Sequence, residues 1–487
     1  MNSSRTNSPR FPPVANLLAL PFLAACVCVC SCALHSPPQH SRVTEEAIPN
    51  AHVPAAWSAT SGAGKVSDDW LKAFHDAGLD AIVAETIANN PDLRQAAAKV
   101  EAARQRVTLV GSKLRPQAGA IFGGSGLVSK NSLNEDSDVF NSDTEYVSVS
   151  WEPDIWGRLR ARRSAAQASY QATALDYAFA RQSLVATTAK AWYLATETRR
   201  LLAIAEEDVR IYQKLLQLVK ARRAAGKVAD LDVVEADANL SLAQSQLLVV
   251  EGQYSEARRT LEVLLGRYPA AELAVADSFV SLPPPVAAGL PSSLLERRPD
   301  LLAMERQVLV AFRAQEAAKL ALWPSFSLGA EGGHLSDQLL SLVQLNPWLF
   351  HARIGMFVPI YQGGKLRARI RIATAQQQQA IAAYGGVALR AFQEVEVALT
   401  NEQLLARRLP LMENALLDSA QAVRMAELKY NAGSIDLLSV LQLQAAEIDT
   451  QANLIKLRNA QLANRINLHL ALGGSFDNAP ATAYPHP

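Results

Sequence analysis

Residues 154–162 read Asp-Ile-Trp-Gly-Arg-Leu-Arg-Ala-Arg, and 207 residues further on, Tyr361 to Arg369 read Tyr-Gln-Gly-Gly-Lys-Leu-Arg-Ala-Arg. Each copy comes after an alternating, strand-like run, and each opens a long alanine-rich run at helical spacing. The match is not isolated. Gly226 in RAAGKV and Gly433 in YNAGSI are also 207 apart, as are Gly266 in VLLGR and Gly473 in LALGGS. Pro91-Asp92 pairs with Pro299-Asp300, and Pro116 with Pro324, each at a displacement of 208. Landmarks held at one displacement mean an internal duplication, with a period far too long for a solenoid of short repeats.

Each unit reads as helix, two strands, long helix, turn, helix. In the first, the spacing predicts a helix over 79–113, strands in QAGAIFGGSGL (117–127) and TEYVSVSWE (144–152) around a polar loop 128–143, a helix over 157–225 and a last helix over 229–265. In the second the helices fall at 292–322, 364–432 and 436–472. At 1.5 Å per residue each long helix reaches about 100 Å, and the two shorter ones end to end reach about as far. A compact domain has no use for such rods, whereas a tube crossing a gap does. Val233, Ala236, Leu240, Ala243, Leu247, Val250, Tyr254, Ala257, Leu261 and Leu264 alternate steps of three and four. Leu438, Leu441, Ala445, Ile448, Ala452, Ile455, Asn459, Leu462 and Ile466 do the same. Such seams predict lateral helix packing; an ordinary coiled coil accounts for any one of them equally well.

The strands separate these readings. Val147, Val149 and Trp151 alternate with Ser148 and Ser150. Phe326 and Leu328 alternate with serines, and Trp348, Phe350 and Ile354 oppose His351 and Arg353. Strands of about ten residues, greasy on one face only, suit a membrane β-barrel with a wet lumen, although a soluble hairpin lying on the helices has the same period. Four strands fall short of the roughly eight that a closed barrel needs, so on the barrel reading several chains pool their strands.

The remaining composition narrows the classes. A net charge of +1 and 19% charged residues disfavour a nucleic-acid partner. All four cysteines lie between Cys26 and Cys32, leaving none for a disulfide, zinc or thiol site in the body. Arg5 and Arg10 followed by VANLLALPFLAA read as an export signal over 1–25. LAAC resembles a lipobox, which makes Cys26 the candidate for lipidation, with Cys32 as the alternative; no other cofactor is expected. Residues 26–65 read as an extended tether. Further boundaries fall at 66–116 (leading helices), 117–152 (hairpin 1), 153–270 (long and short helices), 271–323 (linker and leading helix), 324–360 (hairpin 2), 361–474 (second helix pair) and 475–487 (tail). No HExxH, GxSxG or GxGxxG stands in a suitable context, so an enzyme is not expected.

WLKAFHDAGLDAIVAETIANNPDLRQAAAKVEAAR, VSWEPDIWGRLRA, LPSSLLERRPDLLAMERQ, FVPIYQGGKLRA, LKYNAGSIDLLSVLQLQ and the closing LALGG resemble the TolC-like outer-membrane efflux proteins, in particular the NodT-like lipoprotein branch. The resemblance runs from about Trp57 to Gly474. It implies an α+β membrane protein: a trimeric 12-stranded β-barrel, four strands from each chain, continuing into a long α-helical periplasmic barrel. It further implies the exit duct of a tripartite efflux pump, a homotrimer partnered by a periplasmic adaptor and an inner-membrane transporter of the resistance-nodulation-division type. Gly157, Arg158, Gly364 and Lys365 then mark the strand-to-helix junctions, where basic side chains face lipid headgroups, neighbouring carboxylates or solvent. Gly226 and Gly433 mark the tunnel tips. Asp436, and Asp230 in the first unit, are the nearest matches to the family's gate aspartates, although each also suits a helix N-cap. A type I secretion duct and a non-spanning coiled-coil lipoprotein stay open. The duct is passive, so cargo choice belongs to the transporter; five methionines argue weakly against a dedicated copper or silver role.

Overall fold

The computed structural model describes residues 34–59, 66, 68–130, 137–336 and 349–476; Cys26, Cys32 and Trp348 lie outside them. In chain order the elements are α1 (His40–Ala47), α2 (Ala77–Asn89), α3 (Pro91–Ser112), β1 (Gln117–Lys130), β2 (Ser137–Trp151), α4 (Arg158–Ala224), α5 (Asp230–Leu264), α6 (Leu294–Arg297), α7 (Pro299–Leu320), β3 (Ser325–Ser336), β4 (Leu349–Phe357), α8 (Lys365–Asn431) and α9 (Leu437–Ala471). The duplication is kept to the residue: α4 and α8 have 67 residues each, and α5 and α9 have 35 each.

Contacts divide the chain into a strand unit (Met1–Val43, Ala103–Tyr170, Gln307–Ile381) and a helical unit (Thr44–Ala102, Gln171–Arg306, Ala382–Pro487). In the strand unit both hairpins join one antiparallel sheet of order β1-β2-β3-β4. The strands run further than their apolar pattern. β1 and β2 stay paired as far as Lys130 and Ser137, inside the stretch expected to be loop. Backbone pairing needs no apolar side chain, so the strands outlast the greasy alternation. At the sheet's base Gly157 (φ 86°) and Gly364 (φ 82°) take the left-handed turn from strand to helix. Asp154 then accepts from the backbone N–H of Leu159 and Arg160 at 2.9 and 2.8 Å, closing the orphan donors of α4. The second copy has Tyr361 in that place, so α8 starts without this clamp.

In the helical unit, all four turns at the 207-spaced glycines close identically. The N–H of Gly226 bonds Arg223 O and that of Lys227 bonds Arg222 O; Gly433 and Ser434 repeat this on Tyr430 and Lys429. This is the Schellman closure, with the glycine at φ 65° and 73°. The leading helices differ from expectation. Neither 79–113 nor 292–322 is one rod, because Asn90 (ψ 125°) and Arg298 (ψ 125°) are extended before Pro91 and Pro299. Proline disfavours helix in the residue before it. The break has a use. Asn90 donates to Leu264 O at 3.0 Å and Arg298 to Ala471 O at 3.2 Å, so each repeat's break ties off the C-terminal end of its own closing helix. The core is duplicated too: Leu261 and Leu265 are buried with Trp70, Phe74, Trp192 and Tyr193, while Leu468 and Leu472 are buried with Trp57, Leu294, Leu301 and Val395.

The seam of α5 is buried or half-buried at all ten positions read from sequence. That of α9 slips in its first turns, where Leu437, Val440 and Gln444 are buried and Leu438 and Ala445 are exposed. The stretch read as a tether is partly ordered. Trp57 is buried and donates to Ala288 O at 3.1 Å. Thr44 meets the Tyr384 hydroxyl, and a Cβ at Gly385 would stand 2.4 Å from Ala47 O. A few apolar residues spaced without periodicity anchor this strap, so no pattern announces it.

Gly385 and Gly386, both inside α8, therefore respond oppositely to alanine. Gly386→Ala meets only Arg390 at 3.8 Å and is expected to stabilise by about 1 kcal/mol through helix propensity. Gly385→Ala pushes on Ala47, and faster hydrogen exchange across 44–58 is the expected readout, with 386 as the control.

Candidate functional site

Residues opposite one another in a ladder share a face. The register pairs Ala118 with Val149, Val149 with Ala330, Trp151 with Leu328, Leu328 with Ile354, and Gly332 with Phe350. One face therefore carries Ala118, Ala120, Phe122, Val147, Val149, Trp151, Phe326, Leu328, Phe350, Ile354 and Met356, and every described lipid-facing candidate falls on it. The other carries Ser148, Ser150, Ser327, Glu331, His351 and Arg353. The greasy face is uncovered: Phe350 is 82%, Ile354 83% and Phe122 74% exposed. β1 and β4 are open edges of the described sheet. At its base Trp151 donates to Leu114 O, and Trp156 donates to Pro324 O while packing on Trp323. Of the junction residues, Arg158 is neutralised by Glu152 at 2.5 Å, whereas Lys365 makes no ion pair among the described residues.

At the turns of the helical unit, the two aspartates singled out from sequence are not equivalents. Asp436 is the N-cap of α9, accepting from the Ser439 N–H at 2.9 Å and from its hydroxyl. Those bonds hold its carboxyl below the usual range. Asp436 aligns with Ala229, not with Asp230. Asp230 opens the first turn of α5 and pairs with Arg223, which lowers its carboxyl too, and it is Asp232 that reaches back to the Ala229 N–H. Both carboxylates are exposed and ionised. Sequence reasoning missed the contact joining the two repeats here: Arg222 donates to Asn431 Oδ1 at 2.8 Å, while its guanidinium lies 4.3 Å over the Tyr430 ring. Arg222 sits in a basic run that reads as solvated surface, so no pattern marks it. Among the described residues no group of three or more His, Cys, Asp or Glu could hold a metal.

Above the turns a cavity of about 1000 Å³ opens between α4, α8 and α9, lined by Asp208, Arg424, Glu427, Gln444 and Glu447 among others. One Asp208 oxygen has no partner, and burial pushes this carboxyl up to about 6.

No described helix is long and apolar enough to cross a membrane. The sequence over 82–267 and 290–474 matches the model of the outer membrane efflux protein family, once for each repeat. The chain belongs to that family. It is 31% identical to the pyoverdine export outer membrane protein OpmQ of Pseudomonas putida, over 87% of this chain and 92% of OpmQ. It is 30% identical to the cation efflux system protein CusC of Escherichia coli, over 84% and 88%. The Campylobacter jejuni CmeC outer membrane channel superposes with a TM-score of 0.82 at 19% identity, covering 92% of this chain and 96% of that one. The fold is that of the trimeric outer-membrane efflux channels, and the protein is located in the outer membrane. The members it resembles are transport proteins.

The unpartnered Asp208 gives this efflux protein an unusual pH response. Its folded carboxyl holds a proton that the unfolded chain releases near the ordinary carboxylate value, so its contribution to stability declines as pH rises toward about 6 and stays unfavourable above. Asp208→Asn is expected to be more stable than the parent at pH 7.5 by roughly 1–2 kcal/mol per chain, allowing for solvent screening. The gain should vanish at pH 4. Denaturant titrations followed by circular dichroism at both pH values check this.

Proposed function

We propose that this protein is the exit duct of a tripartite efflux pump: a homotrimer whose twelve strands close one outer-membrane barrel, receiving small molecules through a periplasmic adaptor from an inner-membrane transporter of the resistance-nodulation-division type. The observation that carries this is an apolar face shared by all four strands over their helix-proximal part, on a sheet of strands 9–15 residues long bounded by two open edges. Nine to eleven residues suffice to span a bilayer as a tilted strand, and hydrocarbon tolerates no unpaired edge, so closure between copies satisfies both requirements. The relatives named above export pyoverdine and cations, so the shared fold does not fix the cargo. Cys26, or else Cys32, carries a lipid that adds to membrane attachment.

The turns at Gly226 and Gly433 form the far end of the duct, where the adaptor docks. Asp230 and Asp436 supply carboxylates at its mouth. Arg222 is the clasp that holds the first repeat's turn to the second.

Outer-membrane fractionation and a trimer band on unheated gels test the duct; a soluble monomer refutes it. In planar bilayers the resting conductance reports the gate. Arg222→Ala removes a hydrogen bond to Asn431, a longer one to Tyr430 O and a cation–π contact, together worth about 1–2 kcal/mol, shifting the closed-to-open ratio about tenfold toward open. Asp436→Ala is expected to raise the leak as well, through a frayed start to α9; unchanged conductance removes that residue from the gate.

A further inference from the structure

Where the sheet gives way to helix, the strand unit carries a concentration of positive charge that the protein itself leaves unneutralised. Arg158 and Arg160 are paired with Glu152 and Asp154. By contrast Arg162, Arg163, Lys365, Arg367, Arg369 and Arg371 are exposed and make no ion pair or hydrogen bond among the described residues. Arg162 and Arg369 are the last residues of the two copies of Leu-Arg-Ala-Arg. Partial burial, then the charge of Arg158 and to a smaller extent that of Arg369, lower the proton affinity of Arg162 despite the opposing pull of Glu152 and Asp154, so the duplication sets the two guanidiniums within electrostatic reach of each other. Like charges gathered this way want an anion.

Two further features set the level of this belt. The apolar face of the sheet ends here in exposed aromatic and aliphatic groups: Trp323 is 55%, Tyr361 87% and Ile360 93% exposed. Amphipathic rings of this kind sit at the headgroup level of a bilayer. In addition, Leu34 packs over Gly157, so the chain arriving from the candidate lipidation cysteines is fixed at the junction itself.

We propose that this belt binds the headgroups of anionic phospholipids in the periplasm-facing leaflet of the outer membrane, with guanidiniums from both repeats sharing the phosphates. Arginine suits the task, since its planar fork donates two parallel bonds to one phosphate. The charge complementarity, the aromatic rim and the arriving lipid anchor all point to a bilayer surface.

The test uses the full-length protein, stripped of lipid in non-ionic detergent and titrated with short-chain phosphatidylglycerol or phosphatidylcholine, with bound lipids counted by native mass spectrometry. Expected for the parent protein is a preference for phosphatidylglycerol that fades as salt rises. The Arg162→Gln, Arg369→Gln double variant should bind phosphatidylglycerol on the order of 25-fold more weakly, at about fivefold per basic residue. Arg210→Gln, at a basic residue of the helical unit already paired with Glu207, should bind as the parent does. Equal binding of the two lipids by the parent at low salt overturns the proposal, whatever the variants do. So does unchanged affinity in the double variant. Dissociation of its trimer on an unheated gel also overturns it, because the guanidiniums are then neutralised by a neighbouring copy.

Discussion

An unpaired backbone N–H or C=O in hydrocarbon costs several kcal/mol, and this protein's four-stranded sheet has an open edge at β1 and another at β4. Multiplied along strands of 14 and 9 residues, that cost exceeds any plausible stability of a lone chain in a membrane. Its greasy face is equally unsuited to water, with Phe350 and Ile354 more than four-fifths exposed. Lipid around the outside and another copy at each edge resolve both problems together. The oligomer is thus a condition for the sheet to exist in place. Copies arranged about an axis in turn carry their long helices with them.

Duplication gives one chain two nearly equal staves, and the differences between them are informative. Asn90 and Arg298 do the same work on Leu264 and Ala471 with different side chains. Asp154 clamps the start of α4, whereas Tyr361 leaves α8 unclamped. At the far turns Asp436 caps α9, while its counterpart Ala229 has no side chain able to cap α5. Arg222 then reaches from the first repeat to Tyr430 and Asn431 of the second, a contact that has no need of an identical copy. Where the repeats agree, the same geometry is kept twice in one chain; at the far turns, where they part, Arg222 holds one tip to the other.

Much of this was legible because glycine, proline and period-two alternation act locally. Gly226, Gly266, Gly433 and Gly473 marked the ends of helices to within two residues, since only a left-handed residue closes those turns. Pro91 and Pro299 mark the breaks in the leading helices, since each ends a helix at the preceding residue, while the helical spacing runs on across them as if through one rod. Phe350 and Ile354 could be put on one face because strand period is unambiguous, and the register then extended that face across four strands. The strap was invisible because Val43, Ile48 and Trp57 are held by partners distant in sequence. The first turns of α9 misled because Leu437 and Leu438 are both apolar, and only three-dimensional packing chooses between neighbours. Arg222 and Asp208 belong to the same class: nothing nearby in sequence tells a clasping arginine or an orphaned carboxylate from its solvated neighbours.

Charge is also distributed so as to grade rigidity along the helical unit. Glu262 is buried and accepts from the backbone N–H of Ala271, Glu272 and Leu273 at 2.7, 2.7 and 2.9 Å, so it stays ionised and pins the segment after α5. Arg465, 1% exposed, is held by Glu402 and by the carbonyls of Pro283 and Pro284. Buried ions are tolerated only when nearly every hydrogen-bonding site is used, and such networks admit one arrangement. At the Gly226 and Gly433 turns there is no comparable buried ion: a Cβ at either glycine would meet open space, and the repeats are tied there by Arg222 and by an apolar cluster in which Val219 and Leu437 are buried. Local opening therefore takes least free energy at the turns and most around Glu262 and Arg465. Within the helical unit the turns yield first, while the segments around Glu262 and Arg465 hold a single arrangement.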